Sequence, residues 1–462
     1  MLTKEVYRMT QTLSPAPRTA PGPRGKFLVG NLFDSRQSGL LDYHVKAWHA
    51  HGDVVRFQMG PITLIQVVRP EHIQQVLVGN AKNYVKGLSH ENLRRTIGDG
   101  ILTAEGEAWQ RQRRLMAPTY TPKGVAQFAD IMGDATRKLL AGWEARGTTQ
   151  PVMINQEMMQ VTMSVISRSM FGLDIGEHFK ETGDGLRYLL QHVSERGLSS
   201  VDWPAWVPTE SNRRLKNAVR VVDDFLYGVI RERRRNGLGE DLLSLLMTAK
   251  DAETGAEMSE RQLRDEVLIT FFAGHETTAQ TLTWTWAMLA QQPEVERKLW
   301  DEIDRVLAGR SPTLDDVGAL TYTRQVIDET LRLYSPVAVM ARDTVAADEI
   351  GGYSVAPGNL ILLLPFMTHR HPEFWEQPDV FNPDHFMPER VKDRPRYAYV
   401  PFGAGARSCL GVHFALLEAV LILAETAQRY RIRLADPNQE LEFDWAGTLR
   451  PKGDLPMLLT RR

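Results

Sequence analysis

The sequence predicts a mainly α fold with a small β region, on three observations. Residues 125–250 are helical by periodicity almost throughout, with breaks near Gly147 and Gly172 and at Trp203-Pro204-Ala205-Trp206-Val207-Pro208. Residues 260–292 carry the longest helical pattern in the chain. Strand-like runs are short: 54–58, 63–68, 352–355 and 360–364, with a hairpin region over 435–462.

Composition bounds the class. A hydrophobic share of 43% with 24% charged residues is that of a soluble globular protein, and 462 residues can bury a cofactor-sized cavity. The net charge of −2 gives no global field for nucleic acid or membrane. One cysteine excludes an intramolecular disulfide and a cysteine-based zinc cluster, and fits a reducing, cytoplasmic setting. Residues 1–25 read as a polar, proline-rich leader. Lys4, Glu5, Arg8, Gln11 and Arg18 interrupt any apolar run, so neither a signal peptide nor a membrane anchor is expected.

In order, 40–51 predicts a helix, and Met59-Gly60-Pro61 turns one strand into the next. Pro70 starts a helix through Leu77, and 83–100 reads as a loop with one helical turn. In 106–116, Trp109 and Arg113 stand four apart on one helix face. They suit either a half-buried surface helix or an anion site. The Trp203–Pro208 stretch suits a packed loop or a substrate entrance, and Arg231–Arg235 a solvated helix end.

In 260–292 the centre is Ala273-Gly274-His275-Glu276-Thr277. A helix-interior glycine costs about 1 kcal/mol against alanine. It serves either helix packing or space for a flat ligand. Thr277 can bond the carbonyl of residue 273 or 274. A zinc-protease reading of His275-Glu276 fails, because position 279 is alanine. Residues 322–334 predict a helix placing Glu329 and Arg332 three apart, an ordinary ion pair if taken alone.

The last informative stretch is Phe402-Gly403-Ala404-Gly405-Ala406-Arg407-Ser408-Cys409-Leu410-Gly411, after strand-like 397–400 and before a helix starting at Val412. Gly403 and Gly405 allow a tight turn whose N–H groups can face an anionic sulfur. The helix N-terminus also favours a thiolate. Gly403-x-Gly405-x-x-Ser408 partly imitates a dinucleotide fingerprint but lacks its third Gly or Ala, with little chain left for a nucleotide domain.

Phe402, Gly405, Arg407, Cys409 and Gly411 match without departure the heme-binding loop of the cytochrome P450 family, which the chain resembles over nearly its whole length. Ala273, Gly274, Glu276 and Thr277 resemble the family's oxygen-activation motif, Glu329 and Arg332 its E-x-x-R, and Trp109 and Arg113 its W-x-x-x-R. His385 stands where the family most often has an arginine contacting the E-x-x-R pair. The resemblance implies one P450 catalytic domain over 26–462, with the cytochrome P450 fold. It implies heme b (iron protoporphyrin IX) with Cys409 as the axial metal ligand. Trp109, Arg113, Arg342 and Arg407 would meet the propionates, and Phe402, Gly405 and Gly411 would shape the loop. Glu276 and Thr277 would pass protons to dioxygen at the heme, with Ala273 and Gly274 leaving room. Leu93, Val337, Val339 and Met340 would line an apolar substrate site.

The implied reaction is monooxygenation of an apolar small molecule, terpenoid, polyketide, steroid or fatty acyl. No reductase module fits in the sequence, so a ferredoxin or flavodoxin type donor with its NAD(P)H reductase is implied. Arg111, Arg114, Lys392, Arg394 and Arg396 are its candidate contacts, or simply solvated charges. The rival readings are a P450-like peroxygenase or hydroperoxide isomerase, and a non-catalytic heme-binding module.

Overall fold

The glycine breaks become helix ends. Helix Ala129–Arg146 stops at Gly147 and helix Ile154–Phe171 at Gly172, both at positive φ, where an L side chain would be strained. A computed structural model describes residues 18–462 except 28, 33, 35–38, 148, 175–179 and 197–205. The predicted leader lies outside the described residues up to 17, as do Trp203, Pro204 and Ala205. Arg18 and Pro21 hydrogen-bond backbone at Gly352, Ser354 and Arg56, and Ala20 is buried. Trp206 is 83% exposed.

The helix Glu260–Gln291 is the axis of the molecule. It is buried on nearly all sides, packing against Ile154–Phe171, Thr321–Leu333 and Val412–Arg429. Ser259 caps its first turn, accepting from the Gln262 N–H. A helix this uniformly buried shows little amphipathicity, which is why its length was its main signal.

To one side lies a sheet in the order Val54–Met59, Ile62–Val67, Leu360–Leu363, Met340–Thr344, Tyr84–Val85. Its last pairing sets Val85 against Asp343, so Lys86 comes beside Arg342 although 256 positions separate them in sequence. The hairpin Phe443–Ala446 and Thr448–Pro451 reaches back to the axis, where Trp284 Nε1 donates to the Leu449 carbonyl. No described helix is long and apolar enough to cross a membrane.

Two local expectations fail. Residues 83–100 hold a short strand, a 3-10 turn and the two-turn helix Glu91–Ile97, not a loop with one turn. Residues 397–400 are not a strand: Arg396–Ala398 is a 3-10 turn, and the Val400 N–H donates to the His369 ring.

Candidate functional site

The cysteine loop closes on itself. The Gly403 N–H donates to the Val400 carbonyl at 3.0 Å and the Cys409 N–H to Phe402 at 2.9 Å. Gly405 has φ +68°, and a Cβ there would stand 2.2 Å from the Leu77 carbonyl oxygen, so only glycine fits. The Cys409 sulfur is exposed to an internal cavity yet lies deep beneath the protein surface. Burial pushes its thiol up, while the Gly411 N–H and Arg113 pull the other way.

His369 fixes this loop and was missed in the sequence. Its Nε2 accepts the Val400 N–H at 2.9 Å, and Nδ1 donates to the Arg332 carbonyl at 3.1 Å. Complete burial depresses its pKa to about 3, so the ring is neutral and the tautomer is set. Through His369 the cysteine loop is joined to the Glu329–Arg332 pair.

That pair is buried, unlike an ordinary surface ion pair. Arg332 meets both Glu329 oxygens at 2.8 and 2.7 Å, with both side chains fully excluded from solvent. It also donates to the carbonyls of His369, Pro378 and Val380. His385 completes the set, Nδ1 lying 3.1 Å from Glu329 Oε1 and Nε2 2.8 Å from the Glu376 carbonyl. Both ring nitrogens face acceptors.

At one edge of the cavity positive charge is crowded. Lys86, Trp109, Arg113, Arg342 and Arg407 all line it. Arg407 lies over the Trp109 ring at 4.1 Å and donates to the Ala104 carbonyl and to Glu105. Arg113 donates to the Ser408 carbonyl. Burial, then repulsion from Arg342 and Arg407, drives the Lys86 pKa well down. Burial and Arg407 lower Arg342 to about 10, and burial with Lys86 lowers nearby His90 to about 3. Glu105 is the carboxylate that opposes this charge. Such crowding suits an anionic ligand, and one carrying two carboxylates, as heme does, fits it. Lys86 and His90 gave no sequence signal, since their place depends on the long-range strand pairing.

The central helix lines the same cavity. Ala273 and Thr277 face the cavity, and the Thr277 hydroxyl donates to the Ala273 carbonyl at 2.6 Å. The helix runs on unbroken there. Gly274 also lines the cavity, but a Cβ on it would meet Ile166 Cδ1 at 3.0 Å, so close helix packing is one reason for glycine. Glu276 and Thr277 are not hydrogen-bonded to each other. Instead Glu276 accepts from the Thr448 hydroxyl at 2.5 Å. Burial raises its pKa, opposed by Thr448 and Arg450.

Between these walls the cavity encloses about 660 Å³ and is mostly apolar. Leu93, Val337, Val339 and Met340 line it, joined by Ile97, Ile101, Ile166, Leu242, Phe272 and Trp445. The wall formed by Ile97 and Ile101 is stitched to the central helix. The Asp99 N–H donates to Asp265 at 3.0 Å and the Ile101 N–H to Glu266 at 2.8 Å.

Burial, with Asp265 and Asp99 adding, raises the Glu266 pKa to about 8 against the Ile101 N–H. Its folded pKa exceeds the unfolded one, so the folded state holds the extra proton. Its stabilisation is full at low pH and is lost as pH rises toward 8, at up to roughly 1.4 kcal/mol per unit. Glu266→Gln keeps an acceptor for Ile101 and is expected to flatten the fall in Tm between about pH 5 and 8. Parallel Tm profiles for the two proteins would refute this.

The predicted donor contacts divide. Arg114 is bound to Asp251 and Glu253, Arg111 to the Glu257 carbonyl and Gln262, and Arg394 lies 3.6 Å over Trp375. Lys392 and Arg396 are exposed. Arg231–Arg235 is likewise not simply solvated, since Arg233 holds Asp241 and the Phe171 carbonyl.

Comparison with known proteins agrees with this architecture. The family model described as Cytochrome P450 matches residues 20–456. Cyclooctatin synthase of Streptomyces melanosporofaciens is 34% identical, over 93% of this chain and 94% of its own. Pentalenene oxygenase of Streptomyces avermitilis is 29% identical, over 96% and 97%. The heme domain of cytochrome P450DA superposes with a TM-score of 0.89 at 27% identity, covering 97% of this chain and 98% of that one. With a thiol and the central helix lining one apolar cavity, and a family match over almost the whole sequence, this chain belongs to the cytochrome P450 family of heme-thiolate monooxygenases.

Proposed function

We propose that the protein binds heme b in this cavity and inserts one oxygen atom from O2 into a C–H or C=C bond of an apolar terpenoid. The carrying observation is that the sole cysteine of the sequence lines the same apolar cavity as Ala273, Thr277 and the cationic rim. Cys409 would ligate the iron through its thiolate, while Phe402, Gly405 and Gly411 shape its loop. Trp109, Arg113, Arg342 and Arg407, with Lys86, would hold the propionates. Bound there, the heme supplies dioxygen binding and O–O cleavage, to which a thiolate ligand lends electron density. Thr277 and Glu276 would move protons toward the cavity, with Ala273 and Gly274 leaving room. Leu93, Val337, Val339 and Met340 would press the substrate against that wall and exclude water. The terpenoid choice follows the names of two relatives, Pentalenene oxygenase and Cyclooctat-9-en-7-ol 5-monooxygenase, and the apolar lining.

Electrons would come from a ferredoxin or flavodoxin type donor with its NAD(P)H reductase, in the cytoplasm. With Arg111, Arg114 and Arg394 engaged internally, Lys392 and Arg396 are left as its steering contacts. The pair Lys392→Glu and Arg396→Glu is expected to slow reduction by the donor about ten-fold at low salt and little at high salt. Stopped-flow reduction rates that ignore both charge and salt would rule this contact out.

The deciding experiment is the reduced, CO-bound absorption spectrum of the purified protein, followed by incubation with cyclic terpene hydrocarbons, a ferredoxin, its reductase and NADPH. A thiolate-heme Soret band and an oxygenated product are expected. Product with peroxide alone would instead favour a peroxygenase.

A further inference from the structure

Glu276 stands beside Thr277, yet its hydrogen bond goes to Thr448 on the C-terminal hairpin. The hairpin is pinned at Leu449 from two sides, by Trp284 Nε1 on its carbonyl and by its own N–H on the Pro336 carbonyl. This leaves Thr448, next to the Gly447 turn, against the central helix. The register pairs Asp444 with Arg450 and Ala446 with Thr448, so Thr448 and Arg450 point to the same face of their strand. Arg450 is part-exposed and bonds Asp444 at 3.1 Å on the surface. One face of the hairpin thus runs from the buried carboxyl out to a solvated ion pair.

We propose that Thr448 is a positioning residue for proton delivery: its hydroxyl holds the Glu276 carboxyl toward the hairpin, and the Thr448–Arg450 face is the route by which that carboxyl is recharged from solvent. The inference rests on the monooxygenase reading above. Turned to the hairpin, Glu276 receives a hydroxyl donor and the attraction of Arg450, both of which suit a carboxylate awaiting a proton. Once it takes a proton from water at the hairpin edge it is neutral and gives up little by leaving. Rotated toward Thr277, its O–H donates to the Thr277 oxygen as that hydroxyl, released from Ala273, passes its own proton into the cavity. The carboxylate then returns to Thr448. Other titratable groups on the packed elements do not compete. His275, next in the chain, is held neutral by burial, its pKa near 4, and Glu418 beside Thr278 is kept protonated by burial.

The test uses Thr448→Val, Thr448→Ser and Arg450→Gln in the heme-loaded protein. The infrared carboxyl band that Glu276→Gln removes is followed against pH without turnover. It is expected to titrate at higher pH in Thr448→Val and Arg450→Gln, and as in wild type in Thr448→Ser. Product formed per NADPH oxidised is expected to fall at least about three-fold in Thr448→Val and to recover in Thr448→Ser. An unmoved band in Thr448→Val overturns the positioning claim. A moved band with unchanged product yield overturns the delivery claim. Should Thr448→Val not fold, the surface variant Arg450→Gln decides by the same two readings. A wild type that shows the band but makes no product marks failure of the monooxygenase reading instead.

Discussion

Cys409→Ser is expected to leave the fold intact and to abolish the thiolate-heme spectrum. The sulfur faces the cavity, not a packed neighbour, and the loop is closed by backbone bonds that serine keeps, from Cys409 N–H to Phe402 and from Gly403 N–H to Val400. Unfolding of the heme-free protein should therefore shift by no more than about 0.5 kcal/mol. A metal-binding thiol is deprotonated outright, with the Gly411 N–H and Arg113 favouring the anion, whereas an alcohol in the same place stays protonated. Heme would still be drawn in by the cationic rim, so the variant should bind it with an altered CO-bound band and no oxygenase activity. A thiolate band in both proteins, or in neither, would remove Cys409 from the site.

Arg332→Ala is expected to cost about 3–5 kcal/mol, because it strands a buried carboxylate. Glu329 would keep only His385 and the Asn382 N–H, and the carbonyls of His369, Pro378 and Val380 would each lose a donor. Against a total stability of about 5–15 kcal/mol this threatens folding itself. Arg332→Lys should recover part of the loss, because an ammonium cannot fork onto both Glu329 oxygens and still reach three carbonyls. Replacing both partners, Glu329→Leu with Arg332→Met, should cost less than the two single changes added together. Denaturant unfolding of these variants checks the order; an Arg332→Ala protein as stable as wild type would refute it.

The fold class and the motif residues were legible because each is a local pattern: Trp109 and Arg113 one turn apart, Glu329 and Arg332 three apart, glycines around one cysteine. What was not legible depends on chain returning from afar. Lys86 joins Arg342 only through a strand pairing, and Thr448 reaches Glu276 only because a hairpin folds back. Residues 83–100 misled for the same reason. Their helix Glu91–Ile97 is short and polar, and is held partly by bonds from outside it, such as that between Arg94 and the Thr103 carbonyl. At 397–400 an apolar, aromatic run suggested a ladder, yet the Val400 N–H is satisfied by an imidazole. Likewise Arg111, Arg114 and Arg394 read as surface charge because their acceptors are distant in sequence or lie in the backbone.

The cationic rim also bears on how the protein matures. A chain that gathers Lys86, Arg342 and Arg407 around one carboxylate, Glu105, holds like charges at close range. On the heme reading proposed above, a dianion filling the cavity would relieve repulsion as well as bury apolar surface, so folding and cofactor capture would share one free energy. Porphyrins with esterified carboxyls would match the cavity in shape but leave that repulsion in place, making charge neutralisation the step that selects the natural ligand during assembly.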